Sequence, residues 1–131
     1  MTSVAVKSEL EAEHGLDSTA LNAVRGRCSD GTYVSSSEGA WGSWSAFVSC
    51  PTGGFITGFA LMVQQVQVGG DTAANRIRAM CQDGSYIEPA ALTSLGAWTG
   101  YAICPSGTAA CGMRGTPPRA GRPVRRGQRA F

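Results

Sequence analysis

Two stretches of this chain, "TALNAVRGRC" at residues 19–28 and "TAANRIRAMC" at residues 72–81, carry nearly the same pattern 53 positions apart. The match continues past them. Thr19, Asn22, Arg25, Cys28, Asp30, Gly31 and Tyr33 recur as Thr72, Asn75, Arg78, Cys81, Asp83, Gly84 and Tyr86 at that offset. After one inserted residue, Gly42, Trp44, Cys50, Pro51, Gly53 and Gly58 recur as Gly96, Trp98, Cys104, Pro105, Gly107 and Gly112 at an offset of 54. One unit of about fifty residues is therefore present twice. Such a period is long for a solenoid. It suits a small sheet repeated around an axis, each sheet burying its inner face against the others.

Inside the unit, "NAVRGRC" and "NRIRAMC" alternate, with Val24 and Ile77 to one side and Arg25 and Arg78 to the other, which predicts strands. "SDGTY" and "QDGSY" follow them, and Asp-Gly before a β-forming aromatic signals a hairpin turn. "GFALMVQQVQV" at residues 58–68 reads as a further strand. "VAVKSELEAEH" at residues 4–14 is read as its counterpart, although Glu and Ala also allow a short helix. Eighteen glycines in 131 residues, with few charges, fit short strands and tight turns. The fold class expected is all-β, in one small domain with an ordinary apolar content of 43%.

The net charge of +2 sums unlike parts. Six of the eleven basic residues are arginines from Arg114 onward, where there is no acid, so residues 1–113 hold five basic against nine acidic residues, a net −4. The basic tail has no aromatic interleaving, and no nucleic-acid partner is expected. No run approaches the ~18 apolar residues of a membrane span, and "MTSVAVKSEL" lacks the pattern of a signal peptide. Five cysteines in so small a chain nevertheless argue for an oxidising compartment. An N-terminus missing from this chain would reconcile the two.

Few residues carry chemistry. His14 is the only histidine, no Gly-x-Ser-x-Gly elbow is present, and no zinc spacing occurs, so neither a metal nor a cofactor is expected. Glycoside chemistry needs two flanking carboxylates, and the acids available are Asp30, Glu38, Asp71, Asp83 and Glu88. Asp30 and Asp83 are explained by their Asp-Gly turns. Glu38, just before "WGSW", is the one acid singled out as a catalytic candidate, and a non-catalytic role is preferred for it. Trp41 and Trp44 lie three apart, so a bend at Gly42 is needed for both to face one partner. Packing is their expected role and sugar stacking the alternative. Trp41, Trp44 and Trp98 are ligand-binding candidates together with Asp71, which otherwise reads as a turn residue in "GGDTA". The recurring Asn22, Asn75, Arg25 and Arg78 are expected to close turns and to pair with acids of a neighbouring strand.

The segments "DSTALNAVRGRCSDG", "GAWGSWSAFVSCP", "GFITGFAL" and "GGDTAANRIRAMCQDG" together resemble the vitelline membrane outer layer protein family over about residues 4–113. The resemblance implies a secreted, disulfide-bonded β-prism of three Greek-key sheets around a pseudo-threefold axis. It also implies a place in extracellular layers and an association with carbohydrate, including transfer on N-acetylchitooligosaccharides. Glycans or matrix glycoproteins are the partners it suggests. Against that pattern the chain is expected to hold about two of three units, with residues 1–113 an incomplete prism domain that leaves one sheet short of strands. Residues 114–131 are expected to be a disordered tail outside the family pattern, from a shifted reading frame or an alternative exon. The leading function is a non-catalytic structural or carbohydrate-associated protein. The alternatives are a glycan-transferring or hydrolysing enzyme and a non-functional truncated product. Association through open sheet edges or through Cys111 is expected.

Two bridges follow from the repeat. Cys28 and Cys50 lie 22 apart in one unit and Cys81 and Cys104 lie 23 apart in the other, so Cys28–Cys50 and Cys81–Cys104 are the expected pairs. Cys111, whose counterpart is Thr57, is then left as a free thiol.

Overall fold

The computed structural model describes residues 1–9, 21–65, 72–92 and 96–113, and these form two antiparallel sheets of five strands each. The first contains β1 (Ser3–Ser8), β2 (Leu21–Arg27), β3 (Tyr33–Ser35), β4 (Ser43–Trp44) and β5 (Val48–Ser49). The second contains β6 (Ile56–Gln65), β7 (Thr72–Cys81), β8 (Tyr86–Ile87), β9 (Ala97–Trp98) and β10 (Ala102–Ile103). The first sheet runs β3-β2-β1-β4, with β5 also paired to β1; the second runs β8-β7-β6, with β9 and β10 both paired to β6. Three consecutive strands with the fourth returning beside the first is a Greek key. The sequence repeat is thus a repeat of sheets, and among the described residues each strand of one sheet has a counterpart in the other.

Alternation decides which side of each sheet is wet. In β1 and β2, Val6 pairs across to Val24, and both are fully buried, while Lys7 and Arg25 on the opposite face are half-buried. The core gathers buried residues of both sheets: Val4, Val6, Leu21 and Val24 from the first, Ile56, Ala74, Ile77 and Ala79 from the second. Each fully buried Val, Leu or Ile is worth about 1.5–3 kcal/mol, and only the facing sheet makes that burial available. Asn22 and Asn75 are buried as well, each 2% exposed.

Three equivalent points meet where the two sheets join. Ile56 N donates to Met1 O at 2.8 Å, Ala110 N to Ile56 O at 2.8 Å, and the Met1 amine to Ala110 O at 2.9 Å. Met1, Ile56 and Ala110 are spaced by 55 and 54 residues, so one backbone position of the repeat occurs three times and closes a ring of hydrogen bonds on itself. Such a ring fits a threefold arrangement of the unit.

The expected cysteine pairing is corrected by this arrangement. The disulfide joins Cys50 to Cys81, with Cα atoms 5.8 Å apart, and Cys28, Cys104 and Cys111 are free. Cys28 directly follows β2 and Cys50 directly follows β5, on either side of the β1 segment: Thr2, between them, donates to Arg27 O and accepts from Cys50 N. Two strand spacings are about 10 Å, beyond the ~7 Å that a disulfide spans between Cα atoms. Cys81 and Cys104 flank β6 in the same way. After Cys50, by contrast, the turn Pro51–Gly53 brings the chain to Ile56, which pairs with Cys81. The bridge therefore links successive units.

His14, Asp71 and residues 66–68 of the expected strand lie outside the described residues, as do residues 114–131.

Candidate outer-face site

The outward face of each sheet carries an arginine laid over an indole. The Arg25 guanidinium sits 4.1 Å from the ring centre of Trp44, and that of Arg78 sits 4.0 Å from Trp98 and 4.3 Å from Tyr86. Strand register builds both. Alternation turns Arg25 and Arg78 outward from β2 and β7, while β4 and β9 return beside β1 and β6, setting Trp44 opposite Lys7 and Trp98 opposite Met62. A cation over an aromatic face contributes about 0.5–2 kcal/mol according to its exposure.

Glycine makes the return possible. Gly42 and Gly96 hold φ of +103° and +111°, a region that residues with a Cβ rarely adopt. A Cβ at Gly42 would lie 2.5 Å from Ser8 O, and one at Gly96 would strike Val63 O. A bend is present at Gly42, but it does not turn both indoles to one partner. It leaves Trp41 47% exposed while Trp44 folds back under Arg25.

Glu38 belongs to the first of these groups. Its Oε1 accepts from Lys7 Nζ at 2.9 Å, and Lys7 also donates to Gly39 O. The Lys7 ammonium, with weaker help from Arg25 and the Trp44 indole N–H, holds this carboxyl below its ordinary range despite some desolvation. An ionised carboxylate can act as a base or stabilise a cation, but it is a poor proton donor at neutral pH. In the second sheet a different acid serves. Glu88 accepts from Arg78 Nε and Nη2 at 3.2 and 3.1 Å through Oε1 and pairs with Arg76 Nη2 at 2.7 Å through Oε2. The expectation that outward arginines pair with acids of a neighbouring strand holds there, but Arg25 instead donates to the Ser35 hydroxyl at 3.1 Å.

Asp30 and Asp83 are turn residues. Each accepts from the backbone N–H two residues on, at 2.9 Å, and from the Thr32 or Ser85 hydroxyl. Among the described residues no group of three or more His, Cys, Asp or Glu converges as a metal site would. A shallow, open depression of about 450 Å³ lies among Phe55, Thr57, Gln82, Gly107, Thr108 and Ala109, away from the indoles. No helix of the described residues is long and apolar enough to cross a membrane.

The structure thus brings Glu38 and Trp44 together and sets Trp98 in the matching place on the other sheet. Sequence reading missed Lys7, the pairing of Glu88 with Arg76 and Arg78, and the arginine–indole stacks. Lys7 and Glu88 lie outside the identities of the repeat. Arg25 and Trp44 recur together at nearly equal offsets, which marks them as equivalent positions of the repeat, while strand register alone brings them into contact.

Comparison with known proteins gives a consistent answer. Residues 1–121 match the family described as Vitelline membrane outer layer protein I (VOMI). The chain is similar to the vitelline membrane outer layer protein 1 homolog of Homo sapiens, 36% identical over 107 residues that make up 75% of this chain and 51% of the relative. The homolog of Mus musculus gives the same identity and coverage. The chain spans about half the length of these curated relatives.

Proposed function

Because the chain belongs to the vitelline membrane outer layer protein I family, we propose that it serves as a non-catalytic, saccharide-associated structural protein of an extracellular layer. The observation that carries this reading is the recurrence of one arginine-on-indole arrangement on the outward faces of two equivalent sheets. A layer component needs equivalent contacts pointing in different directions, and a repeated sheet supplies them. A catalytic centre needs unlike groups converging on one bond. The Cys50–Cys81 bridge supports an oxidising compartment, and the names of the relatives support the extracellular setting.

The rival reading is a glycan-transferring or hydrolysing enzyme acting on N-acetylchitooligosaccharides. Its one favourable feature is Glu38, a carboxylate held ionised beside an indole. Calorimetric titration with N-acetylchitooligosaccharides, with mass-spectrometric inspection of the mixture, separates the two. Saturable binding with unchanged oligosaccharide is expected. New products that vanish in Glu38→Gln would establish the enzyme instead.

A further inference from the structure

The two outward faces are built on one plan, and the second shows what completes it. There a single carboxylate, Glu88, bridges two guanidinium groups, Arg78 and Arg76. The first sheet has Ser35 at the position of Glu88, opposite Arg25 as Glu88 is opposite Arg78. Serine is two carbons shorter than glutamate, so its hydroxyl only reaches Nε of Arg25, at 3.1 Å. The guanidinium has further N–H donors beyond Nε, and they face a place that in the second sheet holds an oxyanion.

The first face is also richer in cations. Arg27 stands where the second sheet has Met80, and Lys7 where it has Met62. Arg27 lies over Phe47 at 5.4 Å, and Phe47 in turn packs on Tyr33. Arg25 and Arg27 project from the same side of β2, about 6.6 Å apart along the strand. Among the described residues the only carboxylate paired to these cations is Glu38, on Lys7; none forms an ion pair with Arg25 or Arg27.

We propose that the outward face of the first sheet, around Arg25, Arg27 and Ser35, binds the anionic groups of an acidic saccharide. The shared chemistry is an oxyanion, a sulfate ester or a uronic carboxylate, taking the place that Glu88 fills in the second sheet. Arginine suits both because its planar fork gives two parallel hydrogen bonds to such a group. The Ser35 hydroxyl adds a donor, and the aromatic rings beneath the guanidinium groups hold them in place. A nucleic acid is the poorer fit. Trp44 and Phe47 each have a ring face covered by an arginine, which removes the bare stacking platform that bases use. This inference rests on the saccharide-associated reading and names the class of saccharide.

The test uses the 131-residue chain and four probes: a sulfated heparin-type hexasaccharide, a hyaluronan hexasaccharide, neutral chitohexaose and a single-stranded oligonucleotide. Binding is read by calorimetry, and thermal melts check folding. At least one acidic saccharide is expected to bind about tenfold or more tightly than chitohexaose, as one charge-assisted contact allows. The two acidic probes separate sulfate from carboxylate. Ser35→Glu, which supplies the missing carboxylate, is expected to melt like the parent and lose that tenfold preference. Glu88→Ser, the converse, is expected to raise the number of acidic saccharides bound per chain. Should Ser35→Glu fail to fold, Arg25→Gln must weaken acidic binding by the same factor. Acidic binding indifferent to these substitutions, as the arginines from Arg114 onward would give, overturns the proposal, and so does an oligonucleotide that binds as tightly through Arg25. Chitohexaose bound with no acidic preference overturns this inference alone. No saccharide bound at all overturns the saccharide-associated reading as well.

Discussion

At the scale of single residues, the two Asp-Gly turns give a clear electrostatic handle. Asp30 and Asp83 each accept a side-chain hydroxyl, from Thr32 and Ser85, and a backbone N–H, and these hydrogen bonds lower both carboxyl pKa values below the ordinary aspartate value. A carboxyl whose folded pKa is depressed contributes stability above its unfolded pKa, near 3.9, and loses it as pH falls through the lower folded value. The double variant Asp30→Asn, Asp83→Asn is therefore expected to melt below the parent at pH 7. The two melting curves should converge as pH is lowered through about 4 and below. Equal separation at pH 7 and at pH 2.5 would show that the turns owe nothing to the charge. The role of these aspartates was legible in the letters alone, because Asp-Gly followed two residues later by a bonded N–H is a local event. The ion pairing of Glu88 was not legible. Its partners Arg76 and Arg78 lie twelve and ten positions back, on a neighbouring strand, and only register brings them together.

At the scale of elements, each sheet depends on a short strand that returns across its neighbours to pair with the first. The sequence shows the place of that return, since "GSW" and "GAW" recur at an offset of 54, but not its geometry. Gly42 and Gly96 are where the chain enters the left-handed region with a neighbouring carbonyl too close for a Cβ. Gly31 and Gly84 also have positive φ, at 89° and 87°, yet nothing lies within 4 Å of a Cβ built there. Gly42→Ala and Gly96→Ala are therefore expected to cost more than Gly31→Ala. Backbone strain of this kind is worth about 1–3 kcal/mol, to which the clash with Ser8 O or Val63 O adds. Chemical denaturation of the three variants checks the ranking. Near-equal losses would mean that the close approach is relieved by a small shift of β1 and β6. Gly42→Ala should also raise Trp44 exposure to a soluble quencher, because the bend positions that indole beneath Arg25.

At the scale of the whole molecule, the shared core ties one sheet to the other, joined by the ring through Met1, Ile56 and Ala110 and by the bridge from Cys50 to Cys81. The repeat made the equivalence of the two units legible, and with it the all-β fold. It did not reveal the pairing of cysteines, because two copies of a unit are equally compatible with bridges inside each copy and with a bridge from one copy to the next. What decides is the strand placed between Cys28 and Cys50, and strand order follows from the Greek key rather than from spacing. All five cysteines lie among the described residues, so the consequence is countable: one disulfide and three thiols, at Cys28, Cys104 and Cys111. Denatured without reductant under acid quench, the chain is expected to titrate three thiols, and a non-reducing digest should yield one crosslinked peptide joining Cys50 to Cys81. The bridge closes a loop of 31 residues between units, for which chain entropy gives about 3–4 kcal/mol. Cys50→Ser and Cys81→Ser should each lose close to that amount, and the double variant no more than either alone. Cys28→Ser and Cys104→Ser should each stay within about 1 kcal/mol of the parent, as isolated half-buried thiols replaced by hydroxyls do. A single titratable thiol, with crosslinks inside each unit, would mean that the ends of β2 and β5 stand closer than one intervening strand permits, and the strand order of both sheets would fall with it.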